Sequence, residues 1–69
     1  MQSMIRKLRL ERNMSQKQLA KVVGTSQQTI SRIENDVMSS PVALLVNIAD
    51  LFDVSVDYLL GRRVRIHKR

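Results

Sequence analysis

Apolar residues recur along this chain at intervals of three and four, in short blocks broken by serine, glycine, asparagine or proline. That spacing predicts a succession of short amphipathic helices. The first is expected from about Ser3 to Arg12, with Ile5 and Leu8 on one face and Asn13 as a left-handed stop. The second opens at Ser15 as N-cap, turns Leu19, Ala20 and Val23 inward, and ends at Gly24. The third is capped by Ser26 or Thr25 and runs to about Asn35. The fourth is announced by Ser40-Pro41, an N-cap followed by proline in the first turn, and continues through Leu44, Leu45, Ile48, Ala49 and Phe52. The fifth is capped by Ser55, carries Tyr58, Leu59 and Leu60, and stops at Gly61. Five helices joined by connections of a few residues, with no convincing strand, predict a compact all-α domain over residues 1–61. Residues 62–69, R-R-V-R-I-H-K-R, have neither helical periodicity nor a stop signal and form a basic tail. The alternation of Val64 and Ile66 also allows a short strand there in a dimer.

The third helix has an unusual outer side. On a helical wheel advancing about 100° per residue, Ile30 and Ile33 define the inward direction. Gln28 and Ser31 flank the opposite direction, with Gln27 and Arg32 just outside them. The exposed stripe is then Gln27, Gln28, Ser31 and Arg32: uncharged hydrogen-bonding residues and one arginine. Gln28 and Arg32 lie one turn apart, so they can address neighbouring base pairs in a DNA major groove. Gln matches adenine N6/N7 and Arg matches guanine O6/N7, each through two hydrogen bonds. A solvated polar face has the same appearance on a single helix, so the stripe gains meaning only from its setting. It follows a second helix, a glycine hinge and an N-cap.

Charge supplies more of that setting. The 69-residue chain carries a net charge of +6, placed in blocks. Residues 1–34 hold a net +5, residues 35–60 a net −4 with no Lys or Arg, and residues 61–69 a net +5. A basic front with an acidic back orients a molecule toward a polyanion. Aromatics make up 3% of the residues, too few for base-stacking platforms, which lowers single-stranded and RNA modules as candidates. The absence of cysteine excludes disulfide staples and Cys-based zinc sites and suits a reducing cytoplasm. No segment approaches the roughly 20 apolar residues of a membrane span, and the N-terminus lacks a signal-peptide core, so a soluble cytoplasmic protein is expected.

Catalytic chemistry has no foothold in the pattern. His67 is the single histidine and sits in the tail, without a Ser-His-Asp or Cys-His arrangement or a metal-ligand set around it. Asp50, Asp53 and Asp57 lack the spacing of a metal cage, and no Gly-rich phosphate loop is present. No enzyme activity, cofactor or metal is expected.

Ala20, Gly24, Ile30, Ile33 and Glu34, in the spacing A-x-x-x-G followed by x-x-x-x-x-I-x-x-I-E, resemble the helix-turn-helix of the Xre/phage repressor (Cro/CI-type) family. The resemblance extends over I-R-K-L-R at 5–9, S-Q-K-Q-L-A at 15–20, T-S-Q-Q-T-I-S-R-I-E-N at 25–35 and V-S-V-D-Y-L-L-G at 54–61. It implies a compact five-helix, repressor-like DNA-binding domain. It implies base reading by Gln27, Gln28 and Arg32, with Ser31 between them, and backbone phosphate contact at Gln16, with Lys17 beside it. The phosphate position suits a helix N-terminus, whose free N–H groups and positive dipole favour anions. Thr25 and Asn35 match positions near the DNA backbone. Arg9 and Glu34 look like the family's interhelical ion pair, and Ala20 and Gly24 are packing and turn residues rather than contacts.

This chain also departs from the family pattern. The loop after the third helix is Asp36-Val37-Met38-Ser39-Ser40, without the usual basic residues. Phosphate contact there falls to backbone N–H groups or to Ser39 and Ser40, and Asp36 repels phosphate. Leu10 replaces a common charged residue, so the first helix either packs on a second face or exposes an apolar spot. Asn13 stands in place of a common glycine, a conservative change for the backbone.

The expected function is a sequence-specific regulator of transcription that binds double-stranded DNA, a repressor acting as a homodimer at an inverted repeat. Val42, Val46, Leu51, Val54 and Val56 add apolar residues beyond one helical stripe. They either complete the core or form a dimer contact on the side of the fourth and fifth helices. The tail residues Arg62, Arg63, Arg65, Lys68 and Arg69 serve either as an arm adding phosphate contacts or as a solubilising terminus. The alternative function is a protein-interaction module of antitoxin or regulatory type with secondary DNA binding.

Overall fold

Serines start three of the helices, each because its side chain satisfies a backbone N–H that the helix cannot. The computed structural model describes residues 4–61. Its order is α1 (Met4–Glu11), α2 (Gln16–Val23), α3 (Gln27–Asn35), a 3-10 turn (Val37–Ser39), α4 (Val42–Phe52) and α5 (Val56–Leu59), with no strand among the described residues. Ser3 and the tail 62–69 lie outside the described residues. Ser15 Oγ accepts from Gln18 N at 3.0 Å while Gln18 Oε1 accepts from Ser15 N at 2.8 Å, a reciprocal capping box at the start of α2. Ser26, and not Thr25, caps α3 by accepting from Thr29 N at 3.1 Å. Ser55 caps α5 by accepting from Tyr58 N at 3.0 Å. Such caps contribute about 1 kcal/mol each.

Left-handed residues follow α1, α2 and α4. Asn13 has φ 57° between α1 and α2, and Asp53 has φ 58° after α4. Asn and Asp tolerate this region better than other residues with a side chain. Gly24 has φ 78° after α2, and Gly24 N–H and Thr25 N–H both return to the carbonyl of Ala20, Thr25 at 2.8 Å. That closed turn reverses the chain between α2 and α3.

The start of α4 differs from the sequence expectation. Pro41 itself is the N-cap, with ψ 141°, and the first helical bond runs from Leu45 N to Pro41 O at 3.1 Å. Ser40 makes no cap bond. Its N–H closes the 3-10 turn on Val37 O at 3.1 Å, and its backbone is extended, as a residue before proline prefers. Its Oγ is buried with no partner.

The core is one cluster fed by every helix: Ile5 and Leu8 from α1, Leu19 and Ala20 from α2, Ile30 and Ile33 from α3, Leu59 from α5, and Leu44, Leu45, Ile48, Ala49 and Phe52 from α4. Val37 seals it from the 3-10 turn. Ile5, Leu19, Ile30, Ile33, Ile48 and Leu59 are fully buried, each stabilising by roughly 1.5–3 kcal/mol over exposure. α2 packs on α3, and α4 packs on α2 and α5, which leaves the outer side of α3 clear. The five extra apolar residues divide. Leu51, Val54 and Val56 pack against the core margin, whereas Val42 and Val46 remain 74% and 42% exposed one turn apart on α4. Leu10 is 52% exposed, so α1 does not bury a second face there. Arg12 crosses to α4 instead, its guanidinium 5.1 Å from the centroid of the Phe52 ring and its Nη1 donating to Leu51 O at 3.1 Å.

The turn at Gly24 can be tested by separating strain from collision. A Cβ there meets no heavy atom within 4 Å, so only the left-handed backbone opposes it. Gly24→Ala is expected to cost about 1–2 kcal/mol in urea denaturation, and Gly24→Asn distinctly less. Equal costs for the two substitutions would contradict a backbone origin.

Candidate nucleic-acid interface

α3 is held from behind by apolar packing and by one buried charge network. Ile30 and Ile33 fill its inner face, and Ala20 on α2 is small enough to let the two helices approach. Glu34, near the end of α3, turns inward to Arg9 of α1, with side chains only 4% and 9% exposed. Arg9 Nε donates to Glu34 Oε2 at 2.6 Å and Nη2 donates to Oε1 at 3.2 Å, the two-pronged geometry that suits guanidinium and carboxylate. Arg9 Nη1 donates to the carbonyl of Met14 at 2.7 Å, tying in the α1–α2 connection. Gln16, in the first turn of α2, donates from Nε2 to Glu34 Oε1 at 3.1 Å. One carboxylate thus joins α1, α2 and α3. The Arg9–Glu34 pair was readable in the sequence. Its extension to Gln16 and Met14 was not, because nothing in the local pattern reports which polar groups meet across helices.

The opposite side of α3 is open. Gln27, Gln28 and Arg32 are exposed, and Ser31 is half-buried between them. The side chains of Gln27, Gln28 and Arg32 make no hydrogen bond or ion pair among the described residues, so their donors and acceptors are free for a partner. Asn35, one turn beyond Ser31, donates from Nδ2 to Ser31 O at 3.0 Å and so lies back along the helix.

The remaining predicted contacts fall in two groups. Gln16 is half-buried at the start of α2 and Lys17 is exposed beside it. Gln16 commits one Nε2–H to Glu34 and keeps its second N–H and Oε1 uncommitted. Thr25 is half-buried, and its N–H is taken by Ala20 O. In the loop after α3, where phosphate contact is expected from backbone N–H groups or from Ser39 and Ser40, the serine donors are engaged or buried. Ser39 N and Oγ both donate to Asp36 O, at 3.0 and 2.7 Å. Ser40 N is spent on Val37 O and Ser40 Oγ is buried. Neither serine presents a free outward donor, because the 3-10 turn consumes the polar groups that a looser loop leaves to solvent.

Comparison with known proteins places this geometry. A family model described as helix-turn-helix matches residues 5–59. A curated relative from Bacillus subtilis (strain 168), the uncharacterized HTH-type transcriptional regulator YobD, is 37% identical over 57 residues. That alignment covers 83% of this chain and 51% of the relative, so the chain spans about half the relative's length. No helix among the described residues is long and apolar enough to cross a membrane.

The buried network makes a stability prediction. Arg9→Met or Glu34→Leu alone leaves an unpaired buried charge and is expected to cost about 3–5 kcal/mol. The double substitution is expected to recover most of that loss, as a double-mutant cycle in urea would register. Additive losses would show that the two residues stabilise the fold separately.

Proposed function

Because the chain belongs to the Xre-type helix-turn-helix family, we propose that it is a sequence-specific double-stranded DNA-binding transcriptional regulator with α3 in the major groove. The observation that carries this reading is the uncommitted stripe of Gln27, Gln28 and Arg32 on a helix whose other face is locked into the core. A B-form major groove is about 12 Å wide and accepts one helix, with its amino-terminal residues at the base edges. Gln28 and Arg32 read neighbouring base pairs, Gln27 and Ser31 supplement them, and no bond within the protein has to break first. The start of α2, with Gln16 and Lys17, meets a phosphate, where the free N–H groups of the helix favour an anion. Thr25 and Asn35 border the same backbone. The positive charge of residues 62–69 adds attraction to any duplex.

The regulator acts as a repressor in the cytoplasm, without catalysis, by occupying an inverted repeat as a homodimer. Val42 and Val46 supply an apolar outer strip on α4 for that dimer, with the exposed Asp50 one turn beyond Val46. Half-site centres then lie about 34 Å apart, one turn of the double helix. A second reading, a protein-interaction module of antitoxin or regulatory type, draws on the spent donors of the loop at 36–40. Gel shifts against random duplex at low salt separate the two, since an interaction module with only secondary DNA binding shows at most weak binding there.

Selection of bound duplexes from a random pool is expected to return a two-fold symmetric motif with that spacing. Gln28→Ala and Arg32→Ala are each expected to cost roughly 1–3 kcal/mol on the selected site and to relax preference at one base position. Retention of the full base preference by Arg32→Ala would reject α3 as the reader. Val46→Asp is expected to shift the chain toward monomer in sedimentation while leaving its far-ultraviolet spectrum unchanged. A dimer that persists through this change would exclude the α4 strip as its contact.

A further inference from the structure

We propose that Asp36 is an opposing charge set against the DNA backbone, lowering the affinity of this chain for every duplex while leaving its base preference untouched. The proposal rests on the DNA-binding reading above and adds to it a determinant of sequence-independent affinity. Gln28, Arg32 and Asp36 succeed one another at one-turn intervals, so Asp36 lies about 6 Å along the axis beyond the arginine. It is the C-cap of α3, its N–H returning to Arg32 O at 2.9 Å, and its φ of −146° turns the chain out of the helix. With the amino-terminal half of α3 over the bases, this carboxyl end is the part that leaves the groove, and the flanking phosphates line that exit.

Several features of this end disfavour an anion, although the N–H groups of Val37 and Met38 make no hydrogen bond among the described residues. The Asp36 side chain is exposed and makes no hydrogen bond or ion pair among the described residues. No Lys or Arg occurs between Arg32 and Arg62 to offset it. The helix terminus adds the negative end of its dipole. The serine donors are engaged or buried: Ser39 N and Oγ go to Asp36 O, Ser40 N goes to Val37 O, and Ser40 Oγ is buried. The other edge of the helix pair is the reverse, with the amino end of α2, Lys17 and the uncommitted N–H of Gln16. Lys17 and Gln16 thus grip the backbone at one edge, and the Asp36 carboxylate pushes away at the other.

The test is Asp36→Asn in the full chain, with Asp50→Asn on α4 as a control that makes the same change in net charge. Binding to random duplex and to the selected site is measured from about 50 to 200 mM salt, the range over which phosphate contacts change affinity most visibly. Asp36→Asn is expected to tighten both about 3- to 10-fold at the lower salt and to steepen the log–log salt slope by up to about 0.9, one added phosphate neutralisation. The ratio between the two duplexes stays constant, and Asp50→Asn gives a clearly smaller change. An Asp36→Asn variant indistinguishable from Asp50→Asn overturns the proposal, because the effect is then net charge alone. A change in base preference also overturns it, because Asp36 is then acting on Arg32 rather than on phosphate. Failure of native and variant chains alike to bind any duplex at low salt rejects the DNA-binding reading itself, and the role of Asp36 with it.

Discussion

A carboxylate buried near the end of a helix has to find positive partners, and Glu34 finds Arg9. Two charges withdrawn from water gain little net stability from each other, since desolvation offsets most of their attraction. What they gain is direction. The guanidinium has three addresses, the two oxygens of Glu34 and the carbonyl of Met14, and Gln16 supplies a further donor to the same carboxylate. Isoleucine and leucine can slide past each other at small cost, whereas this set of hydrogen bonds closes in only one relative placement of α1, α2 and α3. The apolar core makes the domain stable, and the ionic network decides where the third helix sits.

That placement divides the polar residues of the second and third helices by what they are already doing. Ser15, Gln18, Ser26 and Thr29 are consumed by caps, and Glu34 and part of Gln16 by the buried network. Asn35 is folded onto its own helix. Gln27, Gln28 and Arg32 are left over, on one side, with nothing among the described residues to satisfy them. Recognition by hydrogen bonding needs such a remainder, since a donor that must first break an internal bond gives back most of what it gains.

The electrostatics follow the same division. Positive charge gathers in the first 34 residues and in the tail, and the stretch from Asn35 to Leu60 carries only acids. Asp36 marks the boundary at the carboxyl end of α3, next to serines whose donors are engaged or buried. The two ends of the helix-turn-helix unit are therefore unlike: a donor-rich amino edge at Gln16 and Lys17, and an acidic carboxyl edge. Such an uneven charge distribution orients a molecule toward a polyanion.

Much of this was legible in the sequence, because it depended on residues close together in the chain. Ser15 and Ser55 as caps, a cap at either Ser26 or Thr25, Asn13 and Gly24 as left-handed stops, the inward Ile30 and Ile33 and the outward Gln28 and Arg32 all follow from spacing and intrinsic backbone preference. The start of α4 was misplaced by one residue because Ser40 is held by a 3-10 turn that Val37 seals against the core, a contact no local pattern encodes. The same is true of Arg12 on Phe52, of Gln16 on Glu34, and of which surplus valines stay outside. Helical periodicity assigns each side chain a direction around its own axis. Which donor meets which acceptor, and which apolar face is left uncovered, depends on how separate axes pack, and that was decided only when the helices came together.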